Sequence, residues 1–337
     1  MAFAGFRHGH ILDLYKRAGE SKAVAVVAAC EEHGPTRSEL TSQGKVTITH
    51  AHLDEMLGGV ACDAVAIGDC YAHRGGLAIR ALEAGRHVIV DKPICTDLNE
   101  LAAIERLSRE RGLKVGCMLS MRDSAPFITA RRLIGEGVIG DILAIGFGGQ
   151  HPLMLGRRPG WYFEPGKHGG TINDIGVHAI DSIPWITGLH FTRLVAARCW
   201  NALAGDYPHF QDAGQMMLVM SNGAGVLGDV SYFAPDSLGY SLPQYWRMTF
   251  WGRNGVLETS SQADRVSLAV NGQDRVKMVT LDRDNPGGYL EAFLADIQGG
   301  AKPGQLTTDD VLRAARCVLT IQKAADEGAR DVPLPCQ

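Results

Sequence analysis

The chain has no pair of cysteines at metal-binding or redox spacing. Its eight cysteines (30, 62, 70, 95, 117, 199, 317 and 336) are scattered and form no C-x-x-C. This argues against a zinc ribbon or a disulfide scaffold and suits thiols buried in a reducing cytoplasm. An excess of basic residues is also missing. Lys and Arg number 33 against 37 Asp and Glu, a net charge of −4, so there is no general footprint for nucleic acid. No apolar run reaches the about 20 residues that span a bilayer. The opening residues, Met1-Ala2-Phe3-Ala4-Gly5, lack the basic start and apolar stretch of a signal peptide. Repeats and low-complexity tracts are absent. The composition, 45% hydrophobic and 21% charged, is that of a globular protein long enough for two domains.

Short apolar runs at 24–29, 63–67, 87–90 and 114–119 read as buried parallel strands. Helical patterns lie between them at 73–84, stopping at Gly85, and at 97–111, stopping at Gly112. Strand and helix in alternation predict a parallel sheet with helices on both faces over residues 1–120. From 121 to 337 the pattern changes. A helix at 124–135 and a strand at 141–150 precede a loop rich in Gly, Pro and aromatics. Strands are expected at 192–200, 214–221, 225–233, 245–251 and 276–281, with Asn222-Gly223 and Asn271-Gly272 as hairpin signals. This describes a mostly antiparallel sheet, closed by helices at 287–298 and 307–327.

The segment 169–181, G-G-T-I-N-D-I-G-V-H-A-I-D, carries the most chemistry. A helix from about Asn173 stacks Asp174, His178 and Asp181 at i, i+4 and i+7 on one face. A carboxylate and an imidazole on one turn can move protons near neutral pH. A metal reading of the three is set against the lack of a further His or Cys cluster, and no metal is expected. Asp91-Lys92-Pro93 follows the strand 87–90 directly. In an open α/β sheet ligands sit beyond the carboxyl ends of the strands, which puts Lys92 at the site by topology. Pro93 makes the turn stiff and leaves a cis bond open.

The candidate dinucleotide loop is Gly5-Phe6-Arg7-His8-Gly9-His10. Against G-x-G-x-x-G it matches at Gly5 alone; Arg7 and His10 stand where glycines are expected. The Arg7 guanidinium can pair with a phosphate instead. Glu31, after the second strand, suits the ribose hydroxyls of NAD and disfavours NADP, with Glu32 as a substitute. In the loop 150–168, His151, Arg157, Arg158, Trp161, Tyr162 and His168 combine aromatic faces with polar donors, as a sugar site requires.

Taken in order, these pieces resemble the Gfo/Idh/MocA oxidoreductases. The resemblance is carried by Asp63-Ala64-Val65, His73, Ala81-Leu82-Glu83-Ala84-Gly85, Asp91-Lys92-Pro93, Arg122, Gly137-Val138-Ile139-Gly140 and Gly169-Gly170…Asp174…His178…Asp181. The family usually has Glu where Asp91 stands. The resemblance implies an N-terminal Rossmann domain and a C-terminal α/β domain with a large open, mostly antiparallel sheet. It implies hydride transfer between a nicotinamide cofactor, NAD before NADP, and a ring hydroxyl or ketone of a sugar, glycoside or cyclitol. Catalysis then falls to Lys92, Asp174 and His178. Cofactor binding falls to Gly5, Phe6, Arg7, His8, Glu31, His73 and Lys92, and substrate binding to Arg122, His151, Trp161, Asp174 and His178. Two alternatives stay open: a lyase or glycosidase that oxidises, eliminates and regenerates NAD, and a non-catalytic sensor of the same fold. The apolar sheet face is expected to pack in a homodimer or homotetramer.

Overall fold

Residues 1–335 are described by a computed structural model. They form two compact units. The first comprises Met1–Met118, Pro159–Gly169 and Tyr289–Leu312; the second comprises Leu119–Arg158, Gly170–Gly288 and the chain from Arg313 onward.

In the first unit, strands β1 (Ala2–Ala4), β2 (Ala28–Cys30), β3 (Ala64–Ile67), β4 (His87–Val90) and β5 (Val115–Cys117) pair in the order β2-β1-β3-β4-β5. All four pairings are parallel. The order reverses beside β1, which creates the crevice where doubly wound sheets bind ligands. Helices α1 (His10–Glu20), α2 (Gly34–Gln43), α3 (Leu53–Gly59), α4 (Tyr71–Glu83) and α5 (Leu98–Arg111) make the crossovers. α5 starts where Asp97 accepts from the Asn99 and Glu100 amides and stops at left-handed Gly112. The strand expected at 24–29 is corrected to Ala28–Cys30. Its register with β1 covers three residues, and Val27 is exposed.

The second unit is a nine-stranded sheet. It contains β6 (Ile142–Pro152), β7 (Phe191–Trp200), β8 (Ala213–Met220), β9 (Gly225–Ala234), β10 (Arg247–Gly252), β11 (Gly255–Thr259), β12 (Arg265–Val270), β13 (Lys277–Thr280) and β14 (Arg330–Pro333). The order is β13-β12-β11-β10-β6-β9-β8-β7-β14, antiparallel apart from the β6–β9 pair. Strands β11, β12 and β14 had no clear sequence signal. Period-two alternation buries Phe147, Leu218, Val230 and Phe250 on one face and leaves Met217, Leu227 and Trp251 exposed on the other. Helix α6 (Ala125–Gly135) meets β11 and β12.

The helix expected from Asn173 is also corrected. Residues Ile172–Gly176 wind as one π turn before α7 (Val177–Thr187) begins. Gln322 Oε1 accepts from the Ile172 and Asn173 amides at 2.9 and 3.2 Å, so the opening amides of this turn are satisfied by a side chain. Helices α8 (Gly288–Ile297) and α9 (Thr308–Glu327) lie between β13 and β14. Among the described residues no helix is long and apolar enough to cross a membrane.

Candidate active site

In the first unit the site grows from the carboxyl ends of β1, β3 and β4. Gly5 has φ +75°, and a Cβ there would lie 2.8 Å from Asp69 Cβ, so the chain after β1 passes too close to β3's loop for any side chain. Asp91, at the end of β4, is fully buried. It receives His8 Nδ1 at 2.5 Å, Arg74 Nη2 at 2.7 Å and His10 Nδ1 at 3.3 Å. Burial alone would raise its pKa, but the Arg74 guanidinium and the two imidazoles hold the carboxyl well below the usual range. The 2.5 Å approach of His8 is a hydrogen bond that leaves no room for a metal ion between the atoms.

Arg74 is itself fully buried. Its Nε donates to the Asp69 carbonyl at 2.8 Å, and Nη1 reaches the carbonyls of Asp91, Lys92 and Pro93 at 3.0, 2.5 and 3.2 Å. One guanidinium therefore gathers the turn that carries Lys92, whose bond to Pro93 is cis. Lys92 is buried. Arg74 was not singled out from the sequence, although a signal existed. It lies three, four and seven residues before Leu77, Ala78 and Ala81, on the apolar stripe of α4.

Burial drives the His8 pKa down to about 3, against the pull of Asp91. Its imidazole is thus neutral at pH 7. With Nδ1–H bonded to Asp91, Nε2 accepts from Tyr162 Oη at 3.0 Å, and the Tyr162 and Tyr71 hydroxyls meet at 2.6 Å. The folded pKa lies below the ordinary 6.5, so His8 contributes stability that is complete above pH 6.5 and is lost as pH falls towards 3. We expect the urea midpoint to decline over that window and His8→Gln to flatten the decline. Parallel pH dependences for the two proteins would contradict it.

The carboxylates after β2 divide their tasks. Glu31 is fully buried and accepts the Phe6 amide at 2.6 Å and the His33 amide at 2.7 Å. Burial nevertheless pushes its pKa up to about 7. Glu32 instead faces a cavity of about 480 Å³, whose lining includes Arg7, His33, Asp69, His73 and Arg80. Burial opposes its ionisation, but the Arg80 hydrogen bond and charge keep its pKa lower than usual. Of the two acids, Glu32 is the one that lines this cavity. Trp161, expected at the substrate, lies in this unit on the nucleotide loop: its Nε1 donates to the Arg7 carbonyl at 3.2 Å and its ring packs 4.4 Å from Tyr162.

The second unit holds Asp174, His178 and His151. Asp174 is buried on the π turn and accepts a short hydrogen bond from the Tyr232 hydroxyl on β9. His178, in the first turn of α7, lies 5.4 Å from the Trp246 ring. His151 is ringed by Tyr232, Tyr240, Tyr245 and Trp246 at 5.2 to 6.2 Å. Burial pushes the Tyr245 hydroxyl pKa above its ordinary value. Trp246 has a left-handed φ of +53°, a strained backbone for a residue with a large side chain. A Cβ on Gly149 would sit 2.7 Å from its indole, so that glycine makes room for the ring. Arg122, expected at the substrate, is committed to Asp181 through Nε at 2.9 Å and Nη2 at 2.6 Å, in a nearly buried pair. The four aromatic residues around His151 could not be picked out from sequence, because they come from β9 and the loop before β10.

A five-stranded parallel sheet with its loops at the switch point is a Rossmann domain, here joined to an open nine-stranded sheet. The chain belongs to the Gfo/Idh/MocA oxidoreductase family. Residues 3–118 match the model described as "Oxidoreductase family, NAD-binding Rossmann fold", and residues 127–258 match "GFO/IDH/MocA C-terminal domain". It is 28% identical over 148 residues to the scyllo-inositol 2-dehydrogenase (NADP(+)) IolW of Bacillus subtilis, covering 42% of this chain and 40% of that protein. It is 27% identical over 172 residues to the 1,5-anhydro-D-fructose reductase of Ensifer adhaerens, half of each chain. The chain thus spans about half the length of these curated relatives or less. In structure it superposes on an inositol dehydrogenase homolog complexed with NAD+ from Azotobacter vinelandii. The TM-score is 0.80 at 18% identity, over 98% of this chain and 96% of that one, a likeness of fold.

Proposed function

We propose that this protein is a nicotinamide-dependent dehydrogenase or reductase of a sugar or cyclitol, with NAD preferred. The observation that carries the reading is the chemistry each unit offers. The first unit offers a crevice bounded by Glu32, His73 and Arg7, which suits ribose hydroxyls and phosphates. The second offers a buried imidazole and carboxylate beside aromatic rings, which suits a polyhydroxylated ring. The names of the relatives, scyllo-inositol dehydrogenase and anhydrofructose reductase, support the substrate class.

When bound, the dinucleotide supplies the hydride acceptor. His178 takes the proton of the reacting hydroxyl as general base. Lys92 donates a hydrogen bond to the same oxygen and stabilises its growing negative charge. Asp174, anchored by Tyr232, orients the substrate and His178. In reduction the same groups act in reverse. The exposed apolar face with Met217, Leu227 and Trp251 is proposed to close a homodimer or homotetramer.

The test is a titration of NAD+ and NADP+, then a screen of cyclitols and sugars at the NADH absorbance band. Robust cofactor reduction with at least one polyol is expected, and none with any would reject the reading. Glu32→Ser is expected to move the NADP+/NAD+ ratio of kcat/KM up by about 10-fold or more, because a carboxylate that repels the extra phosphate is gone. An unchanged ratio would clear Glu32 of that role.

A further inference from the structure

Three amides of the nucleotide loop are bonded within the fold. Gly5 N–H donates to the Cys30 carbonyl at 3.0 Å, Phe6 N–H to Glu31 Oε2 at 2.6 Å and His8 N–H to the Gly68 carbonyl at 3.1 Å. Amides of such a loop are the usual cradle for a pyrophosphate; here three of them serve the fold. Side-chain cations gather nearby instead. Arg7 Nη1 lies 3.7 Å from Asp69 Oδ1. His73 Nδ1 is 3.6 Å from the same oxygen, and its Nε2 lies 2.8 Å from Lys167 Nζ, which donates to it. Lys167 is delivered by the segment Pro159–Gly169, whose backbone is fixed by the Ala72 amide bonding the Lys167 carbonyl at 3.1 Å. The Arg7 guanidinium and the His73 imidazole thus share one carboxylate, and the Lys167 ammonium joins the group through His73, beside the cavity that Arg7, Asp69 and His73 line. Burial would raise the Asp69 pKa, but hydrogen bonds from His73 and the Cys70 amide and the Arg7 charge lower it. Asp69 stays ionised and tethers the group, leaving net positive charge.

We propose that the pyrophosphate of the dinucleotide is held in this protein by the side chains of Arg7 and Lys167 in place of the loop amides. The proposal rests on the reading of the first unit as a dinucleotide site. Charge-assisted hydrogen bonds from a guanidinium and an ammonium supply what the spent amides do not. Arg7 is then a substitute for the family's second glycine, and the sequence departure at that position is functional.

The test uses the full chain and reads binding, without turnover. NADH is titrated by fluorescence; ADP and adenosine are titrated by calorimetry. Arg7→Gly restores the fingerprint glycine, yet it is expected to weaken NADH and ADP about 10-fold or more, and Lys167→Met about 5-fold. Adenosine, which has no phosphate, is expected to change less than about 2-fold in both. Arg7→Lys should recover part of the loss, and Lys16→Met, at an exposed lysine, should bind as wild type. Arg7→Gly binding NADH and ADP as well as wild type, or better, would overturn the proposal. So would equal losses for ADP and adenosine, or an equal loss in Lys16→Met. Wild-type protein that binds no NADH would overturn the dinucleotide reading itself, and this proposal with it.

Discussion

His178→Ala is expected to lower kcat by roughly 10²–10⁴-fold, the usual contribution of a positioned acid–base group, while the dissociation constant for NADH stays within about 2-fold. The side chain is buried on the first turn of α7, in the same unit as Asp174 and against Trp246. Removing it deletes the group proposed to take the hydroxyl proton. It leaves Arg7, Glu32 and the first-unit crevice untouched, so cofactor binding is the internal control. The substitution also removes a ring contact with Trp246, and thermal unfolding separates that structural loss from the chemical one. Hydride transfer at near-normal rate in a folded His178→Ala protein would remove His178 from the mechanism.

Replacing Arg74 by Met should cost about 3–5 kcal/mol of stability, the range for breaking one partner out of a buried ion pair. The guanidinium meets one carboxylate and four backbone carbonyls with no access to water. Methionine has similar length but no donors, so those acceptors stay buried and lose a partner. Asp91 retains only its imidazole partners. Combining the change with Asp91→Asn removes the stranded charge and should recover about 1 kcal/mol or more. Urea unfolding of the two single variants and the double variant measures the cycle. A loss below about 1 kcal/mol for Arg74→Met would show that the clamp contributes little. The same variant should lose turnover beyond its loss of folded protein, because Arg74 holds the backbone that carries Lys92.

Much of the architecture was legible because it is periodic. Buried parallel strands read as short apolar runs, and α4 and α5 as stripes that stop at Gly85 and Gly112. Helix 73–84 and strand 87–90 correspond to α4 (Tyr71–Glu83) and β4 (His87–Val90). Strand ends then put Lys92 near the crevice by topology alone. The π turn at Ile172–Gly176 was not legible. It is supported by Gln322, about 150 residues further on, and nothing in G-G-T-I-N-D-I-G distinguishes it from an α turn.

The sequence by itself determined the alternation of strand and helix, the place of Lys92 after β4, and the placing of Asp174 and His178 on one short segment. Each is set by residues within a few turns of one another. The tertiary structure decided what those groups touch. It gave Asp91 to Arg74 and His8, Asp174 to Tyr232, Arg122 to Asp181, and turned Glu31 inward while Glu32 faced the cavity. It also brought residues 159–169 back to the nucleotide loop, where Tyr162 meets His8 across 154 positions. The reason is physical. Hydrophobic period is written in neighbours along the chain, whereas a buried polar group takes whichever partner the packed fold brings within about 3 Å, and that partner leaves no mark at either position in the sequence.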